Sequence, residues 1–162
     1  MTVVSNTSPI TNLAAIRQLD LLQQLYTQIV IPEAVYNELT GVETPVPGTR
    51  EVQDLDWIQV RPVVNPSFVI ALQQEPLDLG EAEAIALARE LNADRLLIDE
   101  RKGRAVASRL GIKLTGVLGI LIVAKRRELI PKIKPLIDEL IDISRFRVSD
   151  ELYARVLQDV GE

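Results

Sequence analysis

Asp99 directly follows the apolar run Leu96-Leu97-Ile98, with Glu100 behind it, and Asn6 directly follows Val3-Val4-Ser5. If those two runs are neighbouring strands, Asn6 and Asp99 converge, because open α/β sheets gather ligands beyond the carboxyl ends of their strands, above all where strand order reverses. Glu38, late in a helix starting near Pro32, and Glu81 and Glu83, early in a helix starting near Asp78, are further carboxylates able to face that crevice. Three or four oxygen ligands with no nitrogen or sulfur suit a hard cation, Mg²⁺ or Mn²⁺, which keeps several waters and bridges to phosphate. Such an ion activates a water, orients a phosphodiester and stabilises the leaving oxygen, which is nuclease chemistry.

Each acid also has a plainer reading. An Asp after a strand forms turns or caps helices, Glu81 in a first helical turn complements the helix dipole, and Glu38 can be a solvated residue near a helix end. Negative charge near a helix C-terminus opposes the dipole, however, which hints that something else holds Glu38 there. Glu33, Glu43 and Glu83 read as surface carboxylates.

Composition narrows the chemistry. The chain has no cysteine and no histidine, so disulfides, thiolate or imidazole ligands and His-based triads are excluded. Catalysis must run on carboxylates, hydroxyls, amides and Lys/Arg. A formal net charge of −5 argues against a globally basic nucleic-acid binder, but not against a local basic rim around acids that a cation neutralises. Aromatic residues are few, which disfavours a base-stacking platform. A haloacid-dehalogenase type of phosphatase needs Asp-x-Asp after its first strand, where this chain has Asn6-Thr7-Ser8. The start of the chain lacks the pattern of a signal peptide, and the apolar stretch Gly119 to Ala124 ends at Lys125, Arg126 and Arg127, too short for a membrane span. These features predict a cytoplasmic protein that does not contact the membrane.

The elements that must position these residues follow from periodicity. Val3-Val4-Ser5, Ile29-Val30-Ile31, Trp57 to Val60, Leu96-Leu97-Ile98 and Ile112 to Leu114 read as short strands, most of them buried. Ser8 as N-cap and Pro9 at the first helical position predict a helix after the first strand, with one or two helices running to Tyr26. Further helices are expected from Pro32 to Leu39, just after Asn65-Pro66, from Asp78 to Leu91, from Gly103 to Leu110 and from Val117 to Arg127, with Gly41 to Gly48 a flexible loop. At 162 residues the chain suits one core. The expectation is a single domain over residues 1–162, a three-layer α/β/α fold with a mainly parallel sheet of four to five strands. C-terminal helices Ile133 to Leu140 and Asp150 to Leu157 would pack onto it.

The segments Val-Val-Ser-Asn-Thr-Ser-Pro-Ile, Ile-Pro-Glu-Ala-Val-Tyr-Asn-Glu-Leu, Leu-Asp-Leu-Gly-Glu-Ala-Glu-Ala-Ile-Ala-Leu-Ala and Leu-Leu-Ile-Asp-Glu-Arg-Lys-Gly-Arg-Ala-Val-Ala occur in that order. Together they resemble the PIN-like branch known as the DUF3368 family, from Val3 to about Leu157. The resemblance implies an acidic quartet: an Asp after the first strand, a Glu late in an early helix, an acid opening a central helix and an Asp after the fourth strand. By motif these places fall to Asn6, Glu38, Glu81 and Asp99. Glu81 is preferred to Glu83 because the usual gap from third acid to strand-end Asp is about eighteen residues, and Glu81 stands eighteen before Asp99. Asn6 departs from the pattern, offering a carbonyl oxygen but no charge.

The resemblance further implies a Mg²⁺- or Mn²⁺-dependent endoribonuclease, the toxin of a toxin–antitoxin pair, with a small antitoxin as partner and a homodimer as a plausible assembly. Thr7 and Ser8 would donate hydrogen bonds to a phosphate or a ligand carboxylate, or simply cap the turn. Arg101, Lys102 and Arg104 would hold the RNA backbone, or form a solvated helix face. The alternative is a PIN-like binding module with weak or no catalysis.

Overall fold

The computed structural model describes residues 1–162 and contains five strands and ten helices. The strands are β1 (Val3–Ser5), β2 (Ile29–Pro32), β3 (Ile58–Arg61), β4 (Arg95–Leu97) and β5 (Leu114–Thr115). They form one sheet in the order β3-β2-β1-β4-β5, and every pair is parallel. Parallel neighbours need crossover connections, and helices supply them on both faces.

The alternation of side chains along each strand divides the interior in two. Val3, Ile29, Ile31, Ile58 and Leu97 face one core, whereas Val4, Val30, Leu96 and Ile98 face the other. The first core receives α1 (Thr7–Ala15), α2 (Asp20–Tyr26), α3 (Glu33–Thr40), α4 (Thr49–Asp54), α8 (Val117–Arg126), α9 (Lys134–Ile143) and α10 (Asp150–Asp159). The second receives α5 (Pro66–Leu72), α6 (Leu79–Glu90) and α7 (Arg101–Arg109). This is the three-layer α/β/α arrangement expected from the sequence.

Helix α6 is buried from Gly80 to Ala88 except at Glu83. Its small residues Gly80, Ala82, Ala84, Ala86 and Ala88 let it lie against β1, β2 and β4 while also touching α3, α5 and α7.

Several boundaries differ from the sequence reading. Helix α1 starts at Thr7, with Asn6 rather than Ser8 at the N-cap position. Pro9 is still tolerated, because first-turn N–H groups have no partner within the helix. Helix α7 begins at Arg101, two residues before Gly103, and β5 is Leu114–Thr115 because pairing with Leu96 and Leu97 sets its register. Helix α9 runs on to Ile143. Helix α4 has no strong apolar period. It is held instead through Thr49, whose buried hydroxyl donates to Leu39 O at 2.7 Å and accepts from Val46 N–H at 3.0 Å.

The side chain of Glu162 ties α8 and α9 together. It accepts from the Ile133 and Lys134 N–H groups at the start of α9, at 2.7 and 3.0 Å, and pairs with Lys125 of α8 at 2.7 Å. Burial alone would raise this carboxyl, but the Ile133 N–H, the Lys125 ammonium and the Lys134 N–H outweigh it and hold the group down at about 2. Its contribution is therefore present above the unfolded value of 4.5 and is lost as pH falls from there toward 2. Glu162→Gln is expected to lower stability in urea unfolding at pH 7 by about 1.5–3 kcal/mol, the scale of hydrogen bonds to a charged group. The deficit should fade on acidification below pH 4.5. Equal midpoints at pH 7 would show that the clamp contributes nothing.

Candidate metal and nucleic-acid site

Strands β1 and β4 are adjacent at the middle of the sheet, and this is where the order of connection reverses. The Asn6 N–H donates to Leu97 O at 2.9 Å, so the two strand ends are joined by a hydrogen bond where Asn6 and Asp99 emerge. Asn6 is 3% exposed, and its side chain does not cap α1 although it stands at the N-cap. Its carbonyl oxygen lies toward Gly80 of α6.

Glu38 is exposed, but it is not loose. The Thr7 hydroxyl, in the first turn of α1, donates to Glu38 Oε2 at 2.9 Å. That bond accounts for a negative charge near the C-terminal end of α3, where the dipole of its own helix disfavours it. Of the two hydroxyls expected to meet a phosphate or a ligand carboxylate, Thr7 meets a carboxylate. Ser8 reaches Glu100 Oε1 only at 3.4 Å.

Glu81 has two roles divided between its oxygens. Its Oε1 accepts from the Asp78 N–H at 3.3 Å, while the Glu81 N–H donates to Asp78 Oδ1 at 2.8 Å, a reciprocal cap on α6. Its Oε2 is buried and has no hydrogen-bond partner. Burial pushes this carboxyl up to about 7, with the Asp78 and Glu100 charges adding to the rise against the lowering effect of the backbone hydrogen bond. Glu83 lies elsewhere: its Oε1 accepts from Ala34 N–H at 3.0 Å, so it caps the first turn of α3.

Asp99 repeats the pattern. Its Oδ1 accepts from Val117 N–H at 3.0 Å and so caps α8, the next helix but one in the chain direction, while Oδ2 is buried without a partner. Burial raises its carboxyl above the usual aspartate value, and Glu100 adds to this; the Val117 N–H and the Arg104 guanidinium act the other way. Arg104 is itself held by donating to Ile98 O at 2.8 Å. Arg101 and Lys102, in the first turn of α7, are exposed.

Three glycines keep space open beside these groups. A Cβ at Gly80 would lie 2.9 Å from Glu38 Oε2, 3.5 Å from Asp78 Oδ1 and 3.7 Å from Asn6 Oδ1. At Gly103 it would lie 2.8 Å from Glu81 Oε2, and at Gly116 it would lie 2.6 Å from Asp99 Oδ1. None of the three has positive φ, so they are required for room and not for a special backbone conformation.

The acids line one end of the sheet as separate points. No three carboxylates come together within coordinating reach. Like charges repel, and each carboxylate is turned onto its own donor: Thr7 for Glu38, the Asp78 N–H for Glu81, the Val117 N–H for Asp99. The donor set nonetheless fits a hard divalent cation. It is all oxygen, and Glu81 and Asp99 each hold one buried oxygen that no protein group satisfies.

Sequence reading gave no role to Asp78 or to Glu100, whose charges act on the buried acids, and missed Arg145 and Arg147, which line a polar pocket of about 440 Å³ beside Asp99 together with Ser8 and Glu100. The Asp-x-x-Glu spacing of Asp78 and Glu81 is a legible capping signal. Nothing local marks Arg145 and Arg147, which arrive from the segment between α9 and α10.

Two outcomes are expected. Gly80→Ala should leave the thermal midpoint unchanged or raise it, since Ala favours a helix by about 0.5–1 kcal/mol, while a crystal structure shows Glu38 moved off Thr7. A lowered midpoint would mean that movement of Glu38 alone does not make room for the added Cβ. In EDTA, stability should fall as pH rises from 4.5 through about 7, because the unfolded chain releases the Glu81 proton first. Glu81→Gln should reduce that decline, leaving the part due to Asp99, and an unaltered profile would contradict the burial assigned to Glu81.

No curated protein matches this sequence. The family model DUF3368, described as a PIN domain, matches residues 2–162, and with nearly the whole chain covered the protein belongs to this family, whose fold is of the nuclease type and whose members commonly use divalent metals.

Proposed function

We propose that the protein is a Mg²⁺- or Mn²⁺-dependent endoribonuclease acting as the toxin of a toxin–antitoxin pair. The observation that carries this reading is the pair of buried, unpartnered oxygens, Glu81 Oε2 and Asp99 Oδ2, at the end of the sheet where strand order reverses. Leaving a buried carboxylate oxygen unsatisfied costs about 1–3 kcal/mol or more, and a positive ligand removes that cost. Glu38, Glu81 and Asp99 would hold the ion, with Asn6 as a neutral fourth ligand. Bound there, a hard cation supplies Lewis acidity: it polarises the phosphodiester and lowers the pKa of water.

The chain's own residues do the positioning. Thr7 fixes Glu38, the Asp78 N–H fixes one oxygen of Glu81 and leaves the other facing inward, and the Val117 N–H does the same for Asp99. Arg104 stands beside Asp99 with its position set by Ile98 O, suited to meet a phosphate next to the acids. Arg101 and Lys102 extend the positive rim. A small antitoxin would act by covering the crevice, and a homodimer is compatible with this reading.

A second reading rests on Asn6. With a neutral amide in place of the first acid, the site carries less charge for a cation, which favours a nucleic-acid-binding module of weak or no activity. Metal titration separates the two. For the nuclease, Mn²⁺ binds by calorimetry, mixed single-stranded RNA is cut with Mn²⁺ and not with EDTA, and Asp99→Ala lowers cleavage by at least about a hundredfold with the fold intact. Cleavage unchanged in Asp99→Ala would sink the site assignment. No Mn²⁺ binding and no cleavage by wild type would favour the binding module. No helix is long and apolar enough to cross a membrane.

A further inference from the structure

A groove of about 710 Å³ extends from Asp99 over Arg95 of β4 and Leu114 and Thr115 of β5, against helices α2, α8 and α10. Arg95, Arg104, Arg126, Arg127 and Arg147 line it, and Asp99 at its end is the only acid that does. In a chain of net charge −5 this is a concentration of positive charge against the overall balance.

None of the five arginines pairs with a carboxylate. Arg95 and Arg104 are oriented by neutral acceptors, Thr115 Oγ1 and Ile98 O. Arg126 and Arg127 are exposed at the end of α8, and Arg147 is exposed in the segment between α9 and α10. Uncompensated guanidinium groups along a concave surface repel one another, which a polyanion relieves. The floor between them is apolar and includes Leu118 and Ile122 of α8.

Asp99 and Arg147 line this groove and also the polar pocket beside Ser8 and Glu100. The two concavities therefore adjoin at Asp99. A strand whose phosphate sits at Asp99 has a path on either side of it.

We infer that the arginine groove along β5 binds the sugar–phosphate backbone of single-stranded RNA leading away from the acidic site. This rests on the nuclease reading for what happens at Asp99, but the groove is defined by its own charge and shape. Single strands fit because unpaired bases can lie on the apolar floor while phosphates meet the arginines, whereas a duplex keeps its bases stacked inside and would leave that floor unused. The volume holds roughly two nucleotides on the scale of small-ligand sites, about 300–1,000 Å³. An acidic amphipathic peptide is the competing occupant. Continuity with Asp99 favours the nucleic acid.

The test is fluorescence anisotropy with a labelled, unstructured twelve-nucleotide RNA in EDTA, where no metal-dependent cleavage occurs, over a range of salt concentrations. Replacing Arg126 and Arg127 together by Gln should weaken binding and reduce the slope of log K against log salt by about 1.4, at about 0.7 per phosphate contact on a single strand. Gln keeps good helix propensity, so α8 should persist, and circular dichroism checks this. Replacing Arg50 and Lys132, exposed cations that do not line the groove, should leave the slope unchanged. A duplex of the same length should bind more weakly and be indifferent to the Arg126/Arg127 change.

An unchanged slope in the Arg126/Arg127 variant would overturn the proposal. So would a polyglutamate peptide whose binding depends on these arginines when RNA binding does not. Loss of Mn²⁺ binding and cleavage with groove binding intact would sink the nuclease reading alone. Normal cleavage of a short dinucleotide substrate by the Arg126/Arg127 variant, with loss of binding to the twelve-nucleotide RNA, would support the groove and the acidic site as separable parts.

Discussion

A carboxylate buried without enough donors is a structural debt that the rest of this fold is arranged to keep small. Glu81 and Asp99 each solve half of the problem in the same way, giving one oxygen to the N–H of a helix start and leaving the other buried without a partner. The arrangement works because the first turns of α1, α6, α7 and α8 all lie near the carboxyl ends of β1 and β4, where N–H groups without helical partners are abundant. Parallel pairing of β1 with β4 fixes where those helices begin. The site is thus a consequence of strand order, and the acids are held by caps that also stabilise the helices bearing or facing them.

The same economy explains why Asn6 does not disturb the fold. Its backbone N–H closes the hydrogen bond to Leu97 O irrespective of the side chain, and α1 starts without a side-chain cap. The main-chain role of the first position therefore does not depend on its side chain, whereas Glu81 and Asp99 are tied by their side chains into helix starts on α6 and α8.

Much of this was readable from residues. The strands around Val4, Val30 and Leu96 are short apolar runs bounded by polar turns, and a parallel sheet buried on both faces produces that pattern. Asp99 and Asn6 stand out because they end such runs. Glu81 and Glu83 could not be separated by periodicity, since near a helix start either can face inward; the difference lies in a contact of Glu83 with Ala34, forty-nine positions away in sequence. The start of α1 was misplaced because Ser-Pro imitates a cap and first turn while β1 pairing leaves only Asn6 as the bend. Helix α4 was missed because its anchor is one buried hydroxyl, Thr49, and not an apolar stripe. The arginine groove was invisible because its members come from β4, α7, the end of α8 and the segment after α9.

Helix α3 is fastened at both ends by neighbours of the crevice: Glu83 of α6 binds the N–H of Ala34 in its first turn, and Thr7 of α1 binds Glu38 near its last. Glu38 is thus solvent-facing but already oriented when the chain has folded. The rotameric freedom that a long surface glutamate ordinarily loses on meeting a ligand, up to about 1.5–2 kcal/mol, has in large part been given up beforehand. An exposed acid oriented in advance has less entropy left to lose on meeting a ligand than its exposure alone would suggest.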